Sequence, residues 1–364
     1  MTMADLTDTI DELTPAWFTD ALRETGSLAP DSEVIGVDAH RFGVGGQLAT
    51  VVRAELEYSN PNAGPRSVIV KQPSVDEGSR QMGIGLGMYL SEIRFYEDVA
   101  HRVGITVPHR HWSRLDPQSG RFTLVIEDLS GRAEPGDMLV GATDEQIRAV
   151  LAEVVKLQAP LWNDPWLLDQ QWMTDLTPSR MLFGAVPHLI ESFIERFGDR
   201  LPVEDLDLIR AVGQHSPEAV DLIWSPPFVV GHGDFRLDNM IFGHRGEAPP
   251  VCLLDWQTCG IATPGLDVAV FLSTCVDIER RRSQEKDLLC AWVDGLAAAG
   301  VTDFGFEAAY TSYRVASLYP LLMCVATATT LEQTDRGDRM WAQVIAGAVA
   351  LARDTDAAAL VGAD

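Results

Sequence analysis

The segment HGDFRLDNMIF, residues 232–242, followed by LLDWQTCGIATPGLDVAVFL, residues 253–272, decides how the rest of the chain is read. Each motif follows a short apolar run, FVV at 228–230 and VCLL at 251–254, so its polar residues fall where a strand gives way to a loop. Asp234, Asn239 and Asp255 offer hard oxygen donors from these two segments. A small divalent cation such as Mg²⁺ takes few protein oxygens and completes its shell with waters and phosphates. A lone HGD reads as a turn between strands. Two such motifs in this order, each behind an apolar strand, make chance a poor explanation.

An Asp, an Asn five residues on, and a second Asp beyond an apolar strand is the order used in kinase-type phosphoryl transfer. There the first Asp orients or deprotonates the acceptor hydroxyl, and the Asn and second Asp hold the metals. From the glycines at 43–46 to Asp267 the sequence resembles the aminoglycoside phosphotransferase and choline-kinase-like superfamily, and more narrowly its ecdysteroid-kinase-like branch. The resemblance implies an α+β, bilobal protein-kinase-like fold with an antiparallel-sheet N-lobe and a mostly helical C-lobe. It also implies ATP-dependent phosphorylation of an alcohol group on a small molecule, with ATP and Mg²⁺ as cofactors. By motif match Asp234 is the catalytic base, Asn239 and Asp255 are Mg²⁺ ligands, and His232 and Asp267 support the loops. Two departures from the family pattern stand out. Asp267-Val268-Ala269 replaces Asp followed by Leu or Ile and Ala, and Leu157-Gln158-Ala159 replaces a frequent Leu-His-Ala, which removes a titratable group.

Lys71 ends the β-branched run SVIVKQ and is the only lysine in the first 155 residues. Glu92, 21 residues on and early in the next helix, stands where a kinase-like fold keeps the carboxylate that orients a phosphate-binding lysine. Glu97 is the alternative partner; five residues from Glu92, it cannot face Lys71 equally well. Gly43, Gly45 and Gly46 lie between two strands, where glycine lets the backbone approach a phosphate. Their pattern is not G-x-G-x-x-G, and an ordinary hairpin is the competing reading. A Walker A loop is excluded, because no Gly-Lys dipeptide occurs. FTLVIEDLSG, residues 122–131, joins the lobes, and the resemblance makes Glu127 and Leu129 the adenine contacts through their backbone groups. Arg236 either stabilises charge on the transferring phosphoryl group, as a catalytic residue, or pairs with a carboxylate to fix its loop.

The division expected is an N-terminal lobe over 1–128 and a helical C-terminal lobe over 129–364. The first holds a leading helix capped by Thr14 with Pro15 at its first position, then a meander of about five strands with a helix over 88–102 after the third. The run GIGLG at 83–87 reads as a connecting loop, since it follows no strand of a βαβ unit. Beyond Gly131 a capping box, Thr143 with Gln146, opens a long helix, and helical patterns dominate to the end. Trp292, Phe304, Phe306, Tyr310, Tyr313 and Trp341 fit either the core or the wall of an acceptor pocket.

At 364 residues, with 46% apolar and 22% charged residues, the chain can bury a large core. Its net charge of −25 repels a phosphate backbone, so nucleic-acid binding is not expected. Five cysteines without CxxC or zinc spacing read as reduced thiols. No basic and apolar leader opens the chain and no stretch of 18 apolar residues occurs, so the expectation is a cytoplasmic protein without membrane insertion, a monomer or homodimer. Only eleven residues separate Asp255 from Asp267, too few for a peptide-docking segment. The expected partner is therefore a small-molecule hydroxyl acceptor of aminoglycoside, choline, steroid or hydroxyacyl type. A nucleotide-binding pseudokinase or regulatory module without turnover is the alternative.

Overall fold

Five strands from the first third of the chain pair into an antiparallel sheet, and their order is not that of the sequence. The computed structural model describes residues 4–42, 48–243, 251–328 and 335–362. Along the chain run α1 (Pro15–Glu24), β1 (Val34–Arg41), β2 (Ala49–Tyr58), β3 (Ser67–Pro73), α2 (Glu77–Gly85), α3 (Met88–Arg94), β4 (Arg110–Leu115), β5 (Phe122–Glu127) and β6 (Ala133–Pro135). Then follow α4 (Asp144–Gln158), α5 (Pro165–Asp169), α6 (Gln171–Thr174), α7 (Thr177–Phe197), α8 (Val203–Gln214), α9 (Ser216–Ile223), β7 (Val229–Gly231), β8 (Met240–Gly243), β9 (Cys252–Leu253) and β10 (Gly260–Ala262). The last elements are α10 (Gly265–Cys275), α11 (Ile278–Ala298), α12 (Phe306–Ala316), α13 (Leu318–Thr327), α14 (Asp335–Asp354) and α15 (Ala357–Leu360). They gather into two compact units, Met1–His101 with Val107–Ala133 and Leu254–Gln257, and Arg102–Thr106 with Glu134–Leu253 and Thr258–Asp364.

In the first unit the strand order is β1-β2-β3-β5-β4, which corrects the meander expected from the sequence. β5 pairs with β3, placing Leu124 opposite Lys71, and β4 takes the edge. Composition explains the swap. β5 is apolar on both faces and buried along nearly its whole length, whereas β4 carries Arg110, Ser113 and Arg114, which tolerate an edge. The helices α2 and α3 span the long connection that frees β4 from lying beside β3. One face of the sheet packs on α1 through Trp17, Phe18, Val52, Val70 and Trp112, with Trp17 and Trp112 edge to face at 5.4 Å.

Two further expectations change here. Residues 83–85 of the GIGLG run are not loop but the end of α2, whose N-cap Asp76 accepts the Ser79 N–H at 2.8 Å. Gly83 stays small because a Cβ there would stand 2.6 Å from the Tyr89 ring. The helix expected over 88–102 is α-helical only to Arg94; Phe95–Val99 form a π turn. That turn buries Phe95, Tyr96 and Val99 together, and such turns recur beside functional sites.

In the second unit the Thr143–Gln146 capping box opens α4. The centre is α10, all eleven of whose residues are buried. Each buried Val, Leu or Phe there contributes on the order of 1.5–3 kcal/mol, and α12 comes so close that a Cβ on Gly265 would meet the Tyr313 N–H at 2.5 Å. β7 pairs with β10, bringing Gly231 opposite Gly260, and β8 pairs with β9. No helix of the described residues is long and apolar enough to cross a membrane. All five cysteines are free thiols.

Candidate active site

Lys71 points from the central strand β3 into a buried group of carboxylates. Its Nζ lies 2.6 Å from Glu92 Oε1 on α3 and 2.8 Å from Asp255 Oδ1. Burial works against the ammonium charge, but Asp255 and Glu92 outweigh it and hold the Lys71 pKa above its ordinary value. Burial pushes the Glu92 carboxyl up, and Lys71 opposes that shift. Glu97 is engaged elsewhere, accepting the Ser113 hydroxyl at 2.8 Å. Asp255 has φ +64°, a left-handed conformation that Asp tolerates better than most residues, and its side chain remains 39% exposed.

Three consecutive residues seat this segment on β3, the π turn and α3. Asp255 pairs with Lys71, Trp256 stacks flat on Phe95 at 3.5 Å between centroids, and Gln257 Nε2 reaches Glu92 Oε2 at 3.5 Å. This is why Leu254–Gln257 gathers with the sheet-bearing unit although it lies far along the chain. The sequence reading did not single out Trp256 or Gln257. A Trp directly after a candidate metal ligand is the signal that was available.

The loop of Asp234 is organised by its backbone. Asp267 of α10, buried, accepts the His232 N–H at 2.9 Å on Oδ2 and the Gly233 N–H at 3.0 Å on Oδ1. Burial pushes the Asp267 carboxyl up, while His232 and the two N–H donors pull it back. His232 Nδ1 in turn accepts the Asp234 N–H at 3.2 Å, and the Thr258 hydroxyl donates to the His232 carbonyl at 2.7 Å. Gly233 has φ +80°, and a Cβ there would approach the Thr258 carbonyl to 2.8 Å, so glycine is required twice over.

Asp234 itself is partly exposed and collects two neighbours. Asn239 Nδ2 donates to Asp234 Oδ2 at 2.9 Å and to the Asp234 carbonyl at 2.8 Å, and Arg236 Nε lies 3.0 Å from Asp234 Oδ1. Of the two readings of Arg236, the carboxylate contact is therefore the one present, with Asp234 as the partner. With its amide nitrogen committed, Asn239 keeps its amide oxygen as a hard donor. Among the described residues no three His, Cys, Asp or Glu side chains gather into a self-sufficient metal site. The Asp255 carboxylate and the Asn239 amide oxygen are each, taken singly, the kind of hard oxygen donor that Mg²⁺ accepts beside substrate phosphates.

The remaining candidates divide. Gly43, Gly45 and Gly46 lie outside the described residues. Glu127 pairs with Arg132 and accepts the His109 N–H, while its own N–H donates to the His109 carbonyl at 2.8 Å. The Leu129 carbonyl accepts Arg132 and Ala133 N–H groups in the turn after β5. Trp292, Phe304 and Tyr313 are buried core residues, and Trp292 meets Phe304 edge to face at 5.6 Å.

Residues 87–309 match the model of a family described as "Phosphotransferase enzyme family". The ethanolamine kinase of Plasmodium vivax superposes with a TM-score of 0.54 at 9% identity, covering 97% of this chain and 93% of that one. The GDP complex of aminoglycoside 2'-phosphotransferase-IIIa gives 0.51 at 12% identity, covering 90% and 94%. At such identities the likeness concerns the fold: the α+β kinase-like fold, with its five-stranded antiparallel sheet and mostly helical second part. A curated relative, ethyl acetate hydrolase of Pseudomonas putida, is 31% identical over 137 residues, 34% of this chain and 39% of that protein. The match thus spans well under half the length of that relative.

Proposed function

This chain belongs to the phosphotransferase enzyme family, and on that ground we propose that it transfers the γ-phosphoryl group of ATP to a hydroxyl of a small molecule. The observation that carries the reading is the buried Lys71 ammonium held between Glu92 and the partly exposed Asp255. A lysine so paired is a fixed positive charge for the α- and β-phosphates, with Glu92 setting its direction. Gly43, Gly45 and Gly46 would lie along the phosphates, and backbone groups at Glu127 and Leu129 would meet the adenine. Asn239 and Asp255 would hold Mg²⁺, which when bound neutralises charge on the phosphate oxygens.

Asp234 orients the acceptor hydroxyl and accepts its proton late, since a loose transition state needs aiming more than early deprotonation. Arg236, already beside that carboxylate, offers a guanidinium to the transferring group. Amino alcohols and amino sugars are the acceptor chemistry that the names of two structural neighbours suggest, and the net charge of −25 suits a cationic acceptor.

The test is an ATP-consumption screen of purified protein against aminoglycoside, choline-like, steroid and hydroxyacyl acceptors, with ethyl acetate as a further arm. Acceptor-dependent ADP release with a phosphorylated product is the expected result. Ester hydrolysis without ATP consumption would overturn the reading. Thermal stabilisation by ATP and Mg²⁺ with no turnover of any acceptor would favour the nucleotide-binding module instead.

A further inference from the structure

Gln158 ends α4 and is 1% exposed, yet both ends of its carboxamide are satisfied. Nε2 donates to the Pro264 carbonyl at 2.8 Å, and Oε1 accepts the Trp292 Nε1–H of α11 at 3.1 Å. Pro264 is the N-cap of α10, and the residues on either side of it are also tied. The Ser312 hydroxyl of α12 accepts the Gly265 N–H at 2.8 Å and lies 2.9 Å from the Thr263 hydroxyl. Asp267 sits in the first turn of the helix that starts here, and its two oxygens hold the N–H groups of His232 and Gly233 just before Asp234.

We propose that Gln158 is a positioning residue for the Asp234 loop, acting through the first turn of α10 and Asp267. Its effect on turnover rests on the phosphotransferase reading above; its effect on the loop does not. The residue type follows from the two partners. Pro264 needs a donor and Trp292 needs an acceptor, in a place too buried for an unpaired charge. A carboxylate could not donate to Pro264, and an ammonium could not accept from Trp292. A neutral imidazole could do both, but protonation would take away its acceptor nitrogen. The carboxamide does both at every pH, so the link from Gln158 to α10 is independent of proton concentration even though the Asp267 carboxylate and the His232 imidazole beyond it can titrate.

The experiment compares wild type, Gln158→Met and Gln158→His by hydrogen–deuterium exchange at residues 232–234 and by steady-state kinetics from pH 5.5 to 8. Gln158→Met keeps the volume and removes both bonds. We expect exchange at these amides to rise roughly 10-fold to 100-fold and kcat to fall by about 10-fold, with KM for ATP within about twofold of wild type. Gln158→His should resemble wild type near pH 8, then lose loop protection and kcat reversibly at or below about pH 6.5, a step beyond whatever change His232 and Asp267 give wild type over the same range.

A lowered thermal midpoint in Gln158→Met with unchanged exchange at 232–234 and unchanged kcat would overturn the proposal, as would a His variant with the pH profile of wild type. If Gln158→Met does not fold, the His variant at the two pH limits decides. If wild type transfers no phosphate, the exchange measurement still decides the role of Gln158, and only the functional reading falls.

Discussion

Around Lys71, charged side chains hold one another: an ammonium touches two carboxylates within 2.8 Å, and Glu92 is buried to 1% exposure. Around Asp234, the ordering groups are backbone N–H donors on a buried carboxylate, an imidazole nitrogen and a side-chain amide. The first arrangement depends on charge balance, because removing one partner strands a buried charge that others were compensating. The second is anchored upstream of position 234 by Asp267, so a residue of the same shape there leaves the loop in place, although Asn239 and Arg236 also hold the Asp234 carboxylate. Substitutions in the first region should therefore spread to their neighbours, whereas those at Asp234 should stay local.

The strongest test of that contrast is Asp234→Asn. The amide keeps the shape and can still hydrogen-bond, but it takes no proton, so kcat should fall by on the order of 10²–10⁴-fold while ATP binding by calorimetry stays near wild type. A kcat within threefold of wild type would make Asp234 a structural loop residue. Next in size is Lys71→Ala, expected to lower kcat/KM for ATP by roughly 10²–10³-fold, the scale of one preorganised donor. Glu92→Ala should do less, and the double variant should cost far less than the product of the two, since Glu92 acts through Lys71. Strict additivity in that cycle would break the charge-balance picture.

Asp267→Ala removes the acceptor of two N–H donors and should lower stability by about 2–4 kcal/mol in urea unfolding, with faster amide exchange at 232–233. A variant as stable as wild type would remove Asp267 from its place under the loop. The smallest effect concerns an ion pair outside the site. Asp128 is partly buried, which raises its pKa, but Ser130, Ser67 and Arg53 outweigh burial and bring it down to about 2. A carboxyl depressed in the folded state adds stability above its unfolded value, and that stability is lost as pH falls from about 4 to 2. Asp128→Asn should cost about 1–2 kcal/mol at pH 7 and flatten the acid loss in that window, read from unfolding midpoints across pH.

Much of this was legible along the chain because its causes are local. Thr14 and Pro15 start α1, the Thr143–Gln146 box starts α4, and Lys71 and Glu92 lie on β3 and α3 only 21 positions apart, with α2 between them. The motifs at 232–242 and 253–272 announced loops rich in oxygen donors for the same reason: each is a short apolar strand followed by polar residues. The end of α2 was hidden because its glycines mimic a loop, and only the Tyr89 ring across from Gly83 explains why a residue without a side chain sits in that helix.

Other features belong to tertiary structure alone. That β5 rather than β4 lies beside β3 follows from which strand can be buried on both faces, a competition between segments that no single segment records. Asp255 meets Lys71 across 184 positions, and Trp256 finds Phe95 across a similar span. Gln158, an apparent departure in an amphipathic helix, acquires its meaning only when Pro264 and Trp292 arrive from two other helices' ends and flanks. The sequence by itself determined element types, caps and the residues with useful chemistry, since those depend on neighbours within a few positions. Which of those residues share a proton, a charge or a hydrogen bond was decided by packing, because buried polar groups must find partners wherever the chain brings them.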